Sequence, residues 1–535
     1  MAEKVIRNNQ SLAPFFGERL SFIRGLDPLG LQNTSDATFS MLLPGLNNVT
    51  GRIRYYSFYC WLLDEYSKKN GSTNPEEQKV FIRRAEYMIA LISQFIPGDA
   101  SNIPGSNYAN KELQSNSTKI YDLQEGTFKS DGSTAETYWN YSFGAFGQYY
   151  IGSMRDIGII SNRENQAGLY VRTNSQDENF VSGEMLAKAF NENISSTTKE
   201  TFLKSIKSGE ITEEELKSLL PDFDLTLIVA NTKEQSLLLE LLFQKDFPLR
   251  IEEEPSTFRK ETLKHLLGYL KNQYENFSDR AFVYYAYNKR GKLNEVQDTT
   301  LMGWYYYQFN EYWHFANTSI FNGTLSHLEN TVGPNWQPLK SFVEDITQQV
   351  LDVFIGEGWI DTEQESVTSL IGKLDDTEYS LLEEASKSSG IQKIAHGFML
   401  FFTQYKNNND ELISLREYSE ANNLGKDGEP STYFLTQFNV KKEQSLKQYL
   451  FEYLYQNIIY RHQYVAFRKI RGGTLSTQKF IIEEHHIRYL GNFDAGFTGP
   501  RLGNLIKYMQ DLGIISPNYS LSDTGLSLLK GFGND

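Results

Sequence analysis

A single cysteine among 535 residues leaves no internal disulfide framework and suits a reducing cytoplasm. That residue, Cys60, sits in the aromatic run "YYSFYCWLL", where burial would raise its thiol pKa and make it a poor nucleophile. No stretch approaches the roughly 18 consecutive apolar residues of a membrane span. The opening "MAEKVIRNNQSLAPFF" has no apolar region followed by a small-residue cleavage site, so a secretory signal is not expected and the expected location is cytoplasmic. Positive charge is also scarce. With 52 Lys+Arg against 67 Asp+Glu the formal charge is −15, which excludes a body coated uniformly for nucleic acid or anionic lipid. There is no G-x-x-x-x-G-K-[ST], no H-E-x-x-H and no G-x-S-x-G, so an intrinsic P-loop ATPase, a zincin and a serine hydrolase of the elbow type are not indicated. No cofactor and no metal are expected.

What is present reads as mainly α. The segment Thr50 to Lys69 has the spacing of a helix, and a second opens at the Asn74 cap with Pro75 in its first turn and runs to Pro97. The stretch 98–134, rich in Ser, Asn and Gly, reads as a long loop. Thr299 to Phe321 and Pro338 to Trp359 have the wide apolar faces of packed helices. "KFIIEEHHIRYL" alternates as a short strand pair would, with a helix as the other reading. About 150 residues per domain suggests several folding units. They are placed at 1–192 (helical, with a winged-helix-like module near 135–192), 193–435 (helical and aromatic) and 436–535 (basic and winged-helix-like).

Two octapeptides, "MRDIGIIS" from Met154 and "MQDLGIIS" from Met509, share six letters across 355 residues. Around the second, Thr498 can cap a helix with Leu502, Leu505, Ile506, Met509 and Leu512 on one face. Gly513 ends that helix in positive φ, "IIS" and "YSLS" form a hairpin, and Asp523 caps a closing helix. The first copy follows the same order with a longer turn. Helix, glycine, hairpin and helix make the second half of a winged helix-turn-helix unit. An ordinary helix that ends against a hairpin is the competing reading.

From Arg461 to Tyr508 eight basic residues face three acids, a balance of +5 that leaves −20 elsewhere. The candidate nucleic-acid contacts are Arg468, Lys469, Arg471, Lys479, Arg488, Arg501, Asn504, Lys507 and Tyr508. Cations neutralise phosphates, and Asn and Arg meet base edges in the major groove. A solvated basic face, or one docking an acidic partner, is the bland alternative. Among possible catalytic groups, Arg259 and His265 have the spacing of the HEPN ribonuclease motif, in which arginine stabilises a phosphorane and histidine moves a proton. Glu311 and His314 form half of a ferritin-like carboxylate site with no second pair, and His485 and His486 would face opposite ways on a strand.

The segments "RGLDPLGLQNTSDATFSMLLPGLNNVTGRIRYYSFYCWLLDEY", "GWYYYQFNEYWHFA" and "YRHQYVAFRKIRGG" resemble a bacterial family associated with anti-phage defence loci, from which no catalytic residue carries over. That resemblance implies a setting beside an ATPase or nuclease partner. The expected role is a subunit that binds double-stranded DNA or recruits other defence proteins. A HEPN-like ribonuclease and a purely protein-binding scaffold are the alternatives.

Overall fold

A computed structural model of the chain describes residues 21–22, 27–47, 49–70, 74–98, 101–163, 166–174, 179–248, 254–289, 298–425, 429–470 and 475–532. It is mainly helical, with small antiparallel sheets and one two-residue parallel pairing. The chain divides into two compact units, Met1–Thr38 with Met302–Thr498, and Phe39–Leu301 with Gly499–Asp535. This differs from three consecutive domains, and the expected basic unit 436–535 is split at Thr498. Thr498 lies in the first unit, where its N–H donates to the buried carboxylate of Glu311 at 2.8 Å.

The first unit is built on the helix Thr299–Thr331 from Met302 onward. Trp304, Phe309, Trp313, Phe315 and Phe321 are all buried, as befits a helix that is apolar nearly all round. Trp313 packs on Phe401, Tyr433 and Phe434, and Phe315 stacks on Phe497 at 4.4 Å. Helix Gly390–Asn408 crosses it closely at Gly397, where a Cβ would lie 2.8 Å from Ile320. Strands Phe480–Glu483 and His486–Tyr489 pair antiparallel, with Gln337–Pro338 on the far edge of His486–Tyr489. The tight turn between them places Glu484 and His485 at φ 46° and 63°.

In the second unit, helix Pro75–Ile92 starts as its sequence dictates, with the Asn74 side chain accepting from the Glu76 N–H at 3.0 Å. The expected 98–134 loop instead contains a helix, Ser106–Ser115, and a strand, Ile120–Asp122, paired with Glu210–Thr212. The Arg84 guanidinium helps hold this region by bonding Gln124 and the Ile206 carbonyl, both at 2.7 Å.

Both octapeptides lie in this unit, and they build the same turn twice. Helix Ile151–Asp156 ends at Gly158 (φ 80°) and helix Leu502–Asp511 ends before Gly513 (φ 71°). In each, the N–H three residues past the helical run closes back on the methionine carbonyl, Ile159 on Met154 at 3.0 Å and Ile514 on Met509 at 2.8 Å, the bonding of a Schellman cap. A hydroxyl then ties the return segment to the glycine carbonyl: Thr173 to Gly158 at 2.9 Å, and Ser522 to Gly513 at 2.6 Å. The same hydroxyl accepts from the first turn of the closing helix, Gly183 N–H at 3.0 Å in one copy and Gly525 N–H at 3.1 Å in the other. Strands Ile160–Asn162 and Tyr170–Arg172 pair in the first copy, whereas a single bridge, Ile515 to Leu521, joins the second. Two sequence expectations shift slightly. The helix of the second copy begins at Leu502 without a Thr498 cap, and the closing helix is capped by Ser522 while Asp523 sits in its first turn.

The closing helices can approach this closely only because glycine stands at the contact. A Cβ on Gly183 would lie 2.1 Å from the Ile159 carbonyl oxygen, and one on Gly525 would lie 2.4 Å from that of Ile514. Gly183→Ala and Gly525→Ala are each expected to lower the thermal midpoint by several degrees, as overpacking of about 1–3 kcal/mol does. Gly152→Ala, where a Cβ meets nothing within 4 Å, is expected to hold or raise it. Calorimetry of the three variants checks the equivalence.

Candidate nucleic-acid interface

The helices of the two copies meet the same partners at equivalent positions. Tyr56, on helix Arg54–Asn70, places its hydroxyl 2.6 Å from Ser153 Oγ and 3.1 Å from Tyr508 Oη. Ser153 and Tyr508 stand directly before the two methionines. Four residues earlier the pattern recurs at Asn47: its amide donates to the Tyr149 carbonyl at 2.7 Å, and its own carbonyl accepts from Asn504 at 2.7 Å. Tyr508 is therefore a core residue, fully buried, with its hydroxyl pKa pushed well up by burial. This corrects its assignment as a base contact, since a ring inside the protein has no surface to offer a groove.

Leu502, Leu505, Ile506, Met509 and Leu512 are buried as the spacing predicts. The opposite side of the helix keeps Arg501, Asn504 and Lys507 half-buried, and Gly503 is exposed. Arg501 takes a left-handed backbone conformation (φ 55°) and lays its guanidinium over the Phe39 ring at 4.3 Å. The Gly503 N–H is bonded to Asp279 at 2.9 Å, so a carboxylate already sits on the end of the helix that a groove-reading helix would insert. At the other end, Asp511 pairs with Arg52 at 2.8 Å, and burial raises its pKa to about 6.

Asn504 and Tyr149 open onto one groove of about 440 Å³. Its walls come from the start of helix Ser106–Ser115, from Tyr138 and Trp139, and from Val49 and Asn102. Trp139 meets the Tyr149 ring edge-on at 5.3 Å and 81°, and its indole N–H donates to Gln148 at 2.8 Å. Among the described residues no acidic or basic side chain lines the groove. Of these residues Asn504 was a sequence candidate; Asn102 to Tyr108 fall in the stretch read as loop, and the others come from separate stretches of chain that no local pattern joins. The available signal was the pair "SNIPGSNY" and "TYWNY", Asn and aromatic residues in alternation.

Arg468, Lys469, Lys479 and Arg488 belong to the first unit, and Arg471 lies outside the described residues. The Lys469 ammonium donates to the Asp27 carbonyl at 2.6 Å, and Lys479 is buried at 8 % exposure. Arg488 lies over Trp336 at 4.9 Å, and the exposed Arg468 lies over Tyr464 at 5.5 Å. Within the first unit, Lys469 is thus used on a carbonyl, and Arg468 and Arg488 lie on rings.

The enzymatic candidates dissolve in the same way. Arg259 is buried and its guanidinium is bound to three backbone carbonyls. His265, six residues along the same helix and so about 120° around it, lies 2.7 Å from Asp298. The two do not converge. Cys60 is wholly buried and its thiol pKa is pushed up by burial. Among the described residues no three His, Cys, Asp or Glu side chains form a group able to hold a metal ion. His314 is buried, neither ring nitrogen is hydrogen-bonded among the described residues, and burial drives its pKa down.

Glu311 has a measurable consequence. Burial raises its pKa from 4.5 to about 7, against the opposing hydrogen bonds of Ser35 and Thr498. Between those values the folded chain holds a proton that the unfolded chain releases, so stability falls as pH rises through this window. The slope is about 1.4 kcal/mol per pH unit, for a total of about 3 kcal/mol. Glu311→Gln is expected to flatten that fall in urea titrations taken from pH 4.5 to 7.5.

The chain matches no protein-family model, no curated protein and no solved structure.

Proposed function

We propose that the chain is a nucleic-acid-binding and recruiting subunit of a bacterial anti-phage defence complex, working beside an ATPase or nuclease partner. The observation that carries the reading is the stripe Arg501, Asn504, Lys507, which runs along a helix of the second unit and opens at its middle onto an aromatic groove. The repeated helix, glycine, return segment and closing helix support a winged-helix-like identity for both copies. The defence setting rests on the resemblance of the three segments quoted above. Recruitment has its own support in an open groove of about 740 Å³, floored by Val80, Phe81, Leu203 and Ile206 and rimmed by charges of both signs.

The test is retention of the intact chain on DNA as salt is varied. Contacts to phosphates make log K fall linearly with log salt, and removing one contacting cation reduces the slope by about 1. Lys507→Ala is expected to do this for DNA of any sequence. Absence of retention at 50 mM salt, together with a stable complex on co-purification with neighbouring gene products, would favour the scaffold reading and overturn this one.

A further inference from the structure

Nucleic acid can be engaged through the edges of stacked pairs or through the faces of unstacked bases, and the second unit is shaped for the second mode. The helix that would read a duplex has Asp279 on its Gly503 N–H, Tyr508 in the core and the Asn504 amide on Asn47. It therefore presents no free ridge long enough to lie in a major groove. Beside it, the groove offers half-buried rings at Tyr108, Trp139 and Tyr149, with Tyr138 behind them. The exposed Asn102 and Asn107 stand among these rings, and each amide can both donate and accept, as the edge of a base requires.

Two features narrow the class of occupant. The volume, about 440 Å³, lies in the range of about 300–1,000 Å³ typical of sites for small planar groups, far short of a duplex. The lining is uncharged among the described residues, which suits a neutral inserted group, and two cations are near Asn504 in sequence: Arg501, directly before the helix, and Lys507, one turn along it. Aromatic side chains on which unstacked bases lie, with cations elsewhere on the same surface tracking the backbone, are the elements by which proteins bind single strands.

We infer that this groove takes an unpaired nucleobase of single-stranded DNA or RNA, stacked on Trp139 or Tyr149 and edged by the asparagine amides. The inference rests on the nucleic-acid reading above and replaces duplex readout with strand capture. A partner enzyme that opens or resects DNA would supply such strands.

The experiment is fluorescence anisotropy of the intact chain with a labelled oligo-dT, an oligo-U and a hairpin duplex at one salt concentration. Trp139→Ala is the first variant. Asn107→Glu is the second: the residue is exposed in the first turn of its helix, where an acid is tolerated by the backbone dipole, and it puts a negative charge against the incoming strand. Single strands are expected to bind at least tenfold more tightly than the hairpin. Each variant is expected to lose tenfold or more on single strands and to change hairpin binding by less than twofold. Single-strand binding unchanged in Asn107→Glu, or hairpin binding tighter than single-strand binding, would overturn the inference and leave the nucleic-acid reading standing. Binding of neither form would overturn both. Trp139-dependent binding of a neutral oligosaccharide without any oligonucleotide binding would assign the groove to sugars and overturn both as well.

Discussion

Arg259→Met is expected to remove about 3–5 kcal/mol of folding stability, as loss of one member of a buried, hydrogen-bonded charge pair does. The guanidinium donates to the carbonyls of Leu242 at 3.1 Å, Pro44 at 3.0 Å and Leu241 at 3.2 Å, and stands 3.7 Å from Asp246. Leu241 and Leu242 are in the last turn of helix Lys233–Phe243, whose end carbonyls have no partners within the helix. Methionine fills much of the volume but leaves those carbonyls and the Asp246 carboxylate unanswered in a dry site. Burial already pushes the Asp246 pKa up, and loss of the arginine would push it further. Urea unfolding at neutral pH reads the effect. His265→Ala, by contrast, removes a half-buried contact to Asp298 and is expected to change stability by about 1 kcal/mol or less. A ribonuclease built on these two residues would show the opposite emphasis, with activity lost in both and stability nearly kept.

Glu86→Ala is expected to have an effect of similar size, for a different reason. The carboxylate is buried and accepts four bonds: from Tyr59 at 2.9 Å, Tyr138 at 2.5 Å, Ala145 N–H at 2.9 Å and Phe146 N–H at 2.7 Å. Burial raises its pKa, and those four bonds oppose the rise. Alanine strands four donors in the interior, each with a desolvation penalty of about 1–3 kcal/mol before relaxation. The expected net loss is about 3–5 kcal/mol, measurable by calorimetry. Two of the donors start the helical segment of the first repeat, and Tyr138 backs the aromatic groove. Affinity for a single strand is therefore expected to fall together with the thermal midpoint.

Much of the local grammar was legible in the residues, because caps and positive-φ positions are decided by near neighbours. Asn74 and Pro75, Gly158 and Gly513, and the strand pair around Glu484 and His485 all follow from short-range rules. The duplicated octapeptide likewise marked a real repeat of backbone bonding. What the sequence could not display was any partner chosen at long range. Thr498 is held by Glu311, 187 residues away, and the basic segment divides between two units at that residue. Lys469 reaches Asp27 across 442 residues, turning a presumed phosphate contact into a structural tie. Tyr508 and Ser153 differ in kind yet meet the same Tyr56 hydroxyl, an equivalence that letter matching overlooks because the shared partner lies outside both copies. The groove was hidden for the same reason, since its walls come from four separate stretches of chain.

The most direct measurement is hydrogen–deuterium exchange of the intact protein with and without a saturating oligo-dT. Protection confined to peptides covering 101–108, 138–149 and 502–511 is the result the account predicts. Protection confined to 461–470 and 480–489, in the first unit, or none anywhere, would contradict it.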